Sequence, residues 1–126
     1  MPKILIVDDE RDAVDVLSLM LEMSSFEVMV AYNGAQASSI IEQQKPDLIL
    51  SDFMMPELDG LSLCRRVKSN PQTADIPFIL MTAASAPLED APVDLVVSKP
   101  IELESLLETF SRFSERPEEQ RLRIVR

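Results

Sequence analysis

The sequence predicts an α/β protein with five successive strand–helix units, (βα)₅, folded as a doubly wound sheet of five parallel strands. Two observations lead to this prediction. Short apolar runs alternate with amphipathic segments along the 126 residues. Several of these runs are almost wholly apolar, which is typical of parallel strands covered on both faces. Right-handed crossovers between successive strands then put helices on both faces of the sheet. A chain of this length fits one domain.

Five apolar runs are the predicted strands. Each is short and is followed within a few residues by polar or turn-forming residues. The runs are KILIV at 3–7, FEVMVA at 26–31, DLIL at 47–50, PFILM at 77–81 and DLVV at 94–97.

Apolar residues at helical spacing predict four helices, each with one apolar face. The predicted helices lie at 11–23, 35–44, 61–69 and 102–113. The (βα)₅ pattern requires one more helix, its fourth in chain order, between the fourth and fifth strands at 83–92. Pro87 and Pro92 bracket that segment, and its apolar periodicity is weak. This helix is therefore expected to be short or degenerate. Residues 1–115 are the expected domain, and 116–126 are expected to be a C-terminal tail or the start of a linker.

The composition excludes several classes of function. Acidic residues outnumber basic ones by 22 to 12, which gives a net charge of -10. Such a surface repels phosphates, so the sequence predicts no direct binding to nucleic acid. The chain has no histidine, which excludes histidine-dependent triads, histidine zinc sites and a role as a histidine phosphodonor.

The cysteine count and the first apolar run indicate the compartment. Cys64 is the only cysteine, so an internal disulfide is impossible, as suits a reducing cytoplasm. The apolar run at 4–7 is far too short for a signal peptide or a membrane span. A cytoplasmic location without a membrane partner is therefore expected.

Carboxylates stand at the ends of two predicted strands. Open α/β sheets bind ligands beyond the carboxyl ends of their strands, at the topological switch point. With the strand order 2-1-3-4-5, Asp8 and Asp9 would face Asp52 across neighbouring strands roughly 4.8 Å apart. Ionised carboxylates this close need a cation, or one must stay protonated. Oxygen ligands without histidine or cysteine favour Mg²⁺ over zinc.

Two more polar residues follow strands at the same edge. Lys99 supplies a positive charge suited to a phosphoryl oxygen, and Thr82 supplies a hydroxyl donor. A carboxylate can itself be the nucleophile that forms an acyl phosphate, and Asp52 is the central candidate. Taken singly, a strand-end aspartate is more often a cap or turn residue. Only the set at one edge favours a site.

The loop after Asp52 contains residues with ordinary structural interpretations. Met54 and Met55 are expected to pack against apolar neighbours. Asp59, which precedes Gly60, is expected to be a turn or helix-start residue.

Four motifs together resemble the receiver domain of bacterial response regulators. They are the acidic pair Asp8-Asp9, DFMMPELDG from Asp52, Thr82-Ala83 and Lys99-Pro100. The resemblance covers about residues 2–113 and implies a flavodoxin-like fold. It also implies that Lys99-Pro100 is a cis peptide.

The resemblance assigns a role to each matched position. Asp52 would be the phosphoacceptor, and Asp8 and Asp9 would be the acidic pocket. Mg²⁺ would be held by these three carboxylates and by the backbone carbonyl of Met54. Lys99 would pair with the phosphoryl group.

The resemblance makes Thr82 the switch hydroxyl that turns towards the phosphoryl group, but two departures from the family bear on the output. Val96 stands where the family usually has tyrosine or phenylalanine, and the fourth helix, normally a main output surface, is shortened and contains prolines. The signal is therefore expected to leave through Thr82 and the segment 83–92 rather than through an aromatic rotamer.

The function that the resemblance implies is a phosphorylation-controlled switch of two-component signalling, not an enzyme with a separate substrate. The expected partners are a sensor histidine kinase or a histidine phosphotransfer protein, and a downstream protein target. A phosphorylation-independent pseudo-receiver that acts as a docking module is the alternative. A haloacid-dehalogenase-like phosphatase is disfavoured because the first strand is not followed by Asp-x-Asp. A flavodoxin-like cofactor carrier is disfavoured because two glycines cannot form its phosphate-binding loop.

Overall fold

Five parallel strands form one sheet in the order β2-β1-β3-β4-β5. The computed structural model describes residues 2–55, 58–82, 92–99, 102 and 104–108, and the fold is given for these. The strands are β1 (Lys3–Val7), β2 (Glu27–Ala31), β3 (Leu48–Asp52), β4 (Phe78–Thr82) and β5 (Leu95–Ser98). The predicted number and order of strands are confirmed.

Three helices connect the strands at the predicted places. They are α1 (Arg11–Met23), α2 (Gly34–Gln43) and α3 (Gly60–Ser69). Residues 104–108 are also helical, within the helix predicted at 102–113. The weak fourth helix was predicted at 83–92, of which 83–91 lie outside the described residues, as does the expected tail at 116–126. In the described part of the chain, no helix is long and apolar enough to cross a membrane.

Side chains of the loops cap two of the helices. The Asn33 carboxamide oxygen accepts a hydrogen bond from Gln36 N (2.8 Å), and the Gln36 side chain accepts one from Tyr32 N (2.8 Å). This reciprocal pair satisfies backbone donors on both sides of the start of α2. Asp59 caps α3 by accepting from Ser62 N (2.8 Å), so the helix-start role expected for Asp59 is observed.

The core divides into two clusters, one on each face of the sheet. Alternate residues of each strand point to opposite faces, and the two sets of strand residues fall into different clusters. One cluster joins the sheet to α2 and α3 through Ala37, Ile41, Leu63, Cys64 and Val67. The other joins it to α1 and to residues 104–108 through Val14, Leu21 and Leu106. Helices therefore cover both faces, and the doubly wound architecture is confirmed.

Cys64 is part of the first cluster. Its side chain is fully buried, and this burial raises the pKa of the thiol to about 12. Because the thiolate is the reactive form, Cys64 acts as a small apolar core residue.

A buried ion pair stabilises the edge of the sheet where β4 and β5 begin. This edge is opposite the one that carries the carboxylates. Lys68 Nζ donates to Asp94 Oδ2 (2.8 Å) and to the carbonyl oxygens of Ala74 (3.1 Å) and Ile76 (2.8 Å). Asp94 Oδ2 also accepts from Phe78 N (2.6 Å). The two side chains are only 16% and 3% exposed. The pair joins the end of α3 to the starts of β4 and β5.

We predict that Asp94→Asn is strongly destabilising. The change keeps an acceptor for Phe78 N but leaves the charge of Lys68 buried without its partner, which costs on the order of 3–5 kcal/mol. The free energy of unfolding from urea titrations measures the loss.

Asp75→Asn is the matched control. Asp75 pairs with Lys45 at 3.2 Å, but these side chains are 41% and 52% exposed, and exposed pairs contribute about 0–1 kcal/mol. If the two variants lose equal stability, the buried pair does not have the structural role described above.

Candidate functional site

The pairing of β1 with β3 brings the predicted carboxylates together. Val7 lies opposite Ser51 in the parallel register, so Asp8 and Asp52 follow side by side at the carboxyl edge. Carboxylate oxygens of Asp8, Asp9 and Asp52 all lie within 4.8 Å of one another. Asp8 and Asp52 are 4% and 6% exposed, whereas Asp9 is exposed. These three residues are called the carboxylate cluster below.

Lys99 reaches the carboxylate cluster from the end of β5. Its Nζ lies 2.8 Å from Asp52 Oδ1 and 3.6 Å from Asp8 Oδ2. The backbone N of Lys99 donates to the Thr82 carbonyl oxygen (2.9 Å), which ties the residue after β5 to the end of β4. The structure thus places Lys99 against both buried carboxylates.

The charges in the cluster are unbalanced. Burial raises the pKa of Asp52, and the nearby charges of Asp8 and Asp9 add to the rise, whereas Lys99 opposes it without cancelling it. Burial alone would lower the pKa of Lys99, but its hydrogen bond to Asp52 and the surrounding carboxylates raise it instead. One lysine therefore does not neutralise the three carboxylates.

This donor set fits a hard divalent cation. The carboxylates are oxygen ligands that converge within the distance a single ion can bridge, and they repel one another in its absence. Mg²⁺ is commonly held by one or two carboxylates while it keeps several waters. The residues present therefore suit Mg²⁺, as the sequence predicts.

Asp8 has a local role as well as a place in the cluster. Its Oδ1 accepts a hydrogen bond from Glu10 N (3.0 Å), which is a turn interaction at the start of α1. Its backbone N donates to Ala31 O (3.1 Å), which continues the pairing with β2. The turn hydrogen bond uses Oδ1 and the contact with Lys99 Nζ uses Oδ2, so the turn role does not occupy both oxygens of this carboxylate.

The two ends of the loop after Asp52 lie close together. Gly60 N donates to Phe53 O (3.0 Å). A side chain at position 60 would lie 2.7 Å from Leu80 Cδ1 and would collide with the carbonyl oxygen of Asp52. The close approach of α3 to the end of β3 therefore requires glycine at this position.

The two methionines of the loop behave differently. Met55 is buried in the cluster that joins the sheet to α2 and α3, so its predicted packing is observed. The packing predicted for Met54 is wrong, because its side chain is 72% exposed. The metal-ligand role that the resemblance gives Met54 concerns only its backbone carbonyl and stays a prediction.

The two expected switch residues lie on neighbouring strands. Thr82 is the last residue of β4 and pairs with Ser98 of β5. Val96 pairs with Leu80 and is 37% exposed. Pro100 lies outside the described residues, and so does the cis peptide expected before it.

The comparisons with known proteins agree with this geometry. A family model described as "Response regulator receiver domain" matches residues 4–111. The chain belongs to this family. The resemblance inferred from the motifs is thereby confirmed.

Solved receiver domains have the same fold. The receiver domain of a signal transduction histidine kinase from Syntrophus aciditrophicus is 33% identical, with a TM-score of 0.85 over 90% of this chain and 89% of that one. The receiver domain of a sensor histidine kinase from Pseudomonas aeruginosa is 27% identical, with a TM-score of 0.82 over 89% of this chain and 96% of that one. The latter has a magnesium ion coordinated in its active-site cleft.

A curated relative corrects the prediction about nucleic acid. The DNA-binding dual master transcriptional regulator RpaA of Synechocystis is 36% identical over 112 residues, which are 85% of this chain and 46% of that protein. The chain thus spans about half the length of this relative. The prediction that excluded nucleic acid as a partner is wrong, because a DNA-binding regulator contains a domain of this kind. Net charge describes only these 126 residues, and it says nothing about regions joined to such a domain.

We predict that Asp9→Asn removes the response of stability to Mg²⁺. Ligand binding to the folded state raises the melting temperature by mass action, and the variant lacks one carboxylate of the cluster. Because one repelling charge is gone, the metal-free variant should melt at the same temperature as wild type or higher. Thermal melts in Mg²⁺ and in chelator measure both effects.

Asp15→Asn, an exposed position on α1, is the control and should keep the Mg²⁺ response. A clear drop in the metal-free melting temperature of Asp9→Asn would assign Asp9 a turn role instead.

We predict that Asp52→Asn changes the pH dependence of stability. The pKa of Asp52 is raised above its ordinary value of 3.8, so folding favours the protonated form. The stability that Asp52 contributes is fully present below that ordinary value and is lost as pH rises through the raised pKa. In chelator, the melting temperature of Asp52→Asn minus that of wild type should therefore increase with pH over the acidic range. A difference that stays constant would contradict the raised pKa.

Proposed function

We propose that this chain is the phosphoacceptor receiver of a two-component system. Asp52 accepts a phosphoryl group from a sensor histidine kinase or a histidine phosphotransfer protein. Mg²⁺ would be held by Asp8, Asp9, Asp52 and the backbone carbonyl of Met54. The observation that carries the proposal is the position of Asp52, which is buried, 2.8 Å from Lys99 and within 4.8 Å of two other carboxylates.

The chemistry is a direct transfer between two side chains. An oxygen of the Asp52 carboxylate attacks phosphorus, and the phosphorus–nitrogen bond to the donor's imidazole breaks as the new oxygen–phosphorus bond forms. The imidazole leaves with the electron pair of the broken bond, and Asp52 becomes an acyl phosphate. No proton has to be removed from the nucleophile, so catalysis depends on positioning and charge stabilisation.

The residues of this chain supply those two requirements. The end of β3 fixes Asp52, and its low exposure limits access of water to the acyl phosphate. Lys99, already in contact with Asp52 and near Asp8, is placed to pair with a phosphoryl oxygen. When bound, Mg²⁺ would neutralise negative charge on the carboxylates and the transferring group.

The output is proposed to depend on Thr82. Its place at the end of β4, joined through its carbonyl to Lys99 N (2.9 Å), links it to the residue that would contact the phosphoryl group. Val96 offers no aromatic ring for a rotamer switch. The phosphorylated form would therefore be read by a downstream partner through Thr82 and the segment that follows β4. In this scheme the domain is a switch and extends over residues 1–115.

We predict phosphorylation of wild-type protein by a small phosphodonor in Mg²⁺, seen as a phosphoryl adduct in the intact mass. Asp52→Asn should give no adduct, because the nucleophilic carboxylate is gone. Chelator should also suppress it, since the cluster then repels the incoming anion.

The contact between Lys99 and Asp52 is tested with Lys99→Gln. Its matched control is Lys45→Gln, because Lys45 is exposed, whereas Lys68→Gln would disrupt a buried pair. Lys99→Gln should lower the rate of phosphorylation, whereas Lys45→Gln should leave it unchanged. An adduct that persists in Asp52→Asn, or that forms equally in chelator, would reject the proposal. The absence of any adduct in wild type would favour the pseudo-receiver alternative.

A further inference from the structure

Both glycines of the chain start a helix at a place without room for a side chain. Gly60 adjoins Asp52, and its role follows from the site described above. Gly34 begins α2, away from the carboxylate cluster in sequence. A Cβ at position 34 would lie 2.7 Å from Leu58 Cβ and 2.8 Å from Leu58 Cγ, and would also collide with Leu58 Cδ2. Leu58 can rest on α2 only because residue 34 is glycine.

Leu58 belongs to the loop that connects β3 to α3, the loop that also contains Met54. The ends of the loop are held by hydrogen bonds from Phe53 N to Met81 O (2.9 Å) and from Gly60 N to Phe53 O (3.0 Å). Between these ends, Met55 is buried and Leu58 packs partly buried against the same core cluster. The contact between Leu58 and Gly34 is one place where α2 supports this loop.

The helix is the firmer side of this contact. The start of α2 is fixed by the reciprocal hydrogen bonds of Asn33 and Gln36, and Ala37 and Ile41 anchor it in the core. The atom of Leu58 nearest to its backbone, Cβ, is among those that an added side chain at position 34 would meet. Rotation of the leucine side chain cannot move its Cβ, so the loop backbone has to shift when the contact is compressed.

We propose that Gly34 and Leu58 are positioning residues for the metal site. Their contact fixes the position of Leu58, and the place of the Met54 carbonyl, four residues earlier in the same loop, depends on it. This inference rests on the proposed function, in which that carbonyl is a metal ligand. Mg²⁺ tolerates little deviation from octahedral geometry at about 2.0–2.1 Å. A loop displaced by a few tenths of an ångström therefore binds it more weakly.

The first test uses Gly34→Ala in the full chain. Titration calorimetry with Mg²⁺ alone, without phosphodonor, should show roughly tenfold weaker binding, the scale of effect expected for residues that orient metal ligands. The rate of phosphorylation by a small phosphodonor should recover when Mg²⁺ is raised to saturation, because the nucleophile itself is intact. Ser39→Ala, at an exposed position on the same helix, is the matched control and should bind Mg²⁺ as wild type does.

The second test separates positioning from general damage. Leu58→Gly removes Cβ, Cγ and Cδ2, which are the three atoms of Leu58 that a side chain at position 34 would meet. In Gly34→Ala/Leu58→Gly the collision is absent, so Mg²⁺ affinity should equal that of Leu58→Gly alone and should not fall by the product of the two single losses, while the melting temperature falls below that of Gly34→Ala because buried apolar surface is lost. If the two losses of affinity multiply instead, Gly34 and Leu58 act independently and their contact does not position the metal site.

Leu58→Gly alone keeps the inference testable if Gly34→Ala does not fold. It loosens the loop without a collision and should bind Mg²⁺ about threefold to tenfold more weakly. If wild type itself binds no Mg²⁺, the proposed function fails and the inference fails with it. If wild type binds Mg²⁺ and both single variants bind it equally well, the positioning role alone is overturned.

Discussion

The parallel pairing of β1 with β3 is the constraint on which the site depends. It places the ends of two strands side by side, and each end carries a buried carboxylate, Asp8 or Asp52. Like charges held this close are unfavourable, so the backbone keeps together groups that would separate in an unfolded chain. Lys99 offsets part of that cost by its contact with Asp52. The negative charge that remains favours a cation, and the proposed phosphoryl transfer depends on that cation.

The rest of the fold keeps those strand ends in place. The two core clusters fix the sheet from both faces, and the glycine at position 60 lets α3 begin directly behind Asp52. The loop between β3 and α3 is held by hydrogen bonds at its ends, and by the packing of Met55 and Leu58 against the core. A carboxylate that acts as a nucleophile without proton transfer, as proposed for Asp52, gains most from such fixed geometry.

Local pattern predicted the elements and the carboxylate cluster, but not every contact. Strand and helix positions follow from apolar runs and helical spacing, and the topology rule then brings Asp8, Asp9 and Asp52 to one edge. The exposed side chain of Met54 was not predicted, because the loop path decides which of two adjacent methionines turns inward.

Contacts distant in sequence were also missed. Lys68 and Asp94 lie 26 residues apart, and no periodicity relates them. Gly34 and Leu58 meet through the packing of a helix on a loop. The one available signal was the scarcity of glycine itself, since a chain with only two glycines is expected to use each where nothing larger fits.

The buried pair of Lys68 and Asp94 makes the two edges of the sheet respond differently to ionic strength. Dissolved ions screen charges that reach solvent far more than charges enclosed by protein. Added salt therefore relieves the repulsion that involves the exposed Asp9 but hardly changes the enclosed pair, whose aspartate is 3% exposed. When the salt concentration in a cell changes, the stability that the Lys68–Asp94 pair contributes stays nearly constant. The repulsion between carboxylates at the other edge, where the signal would be received, changes with the salt.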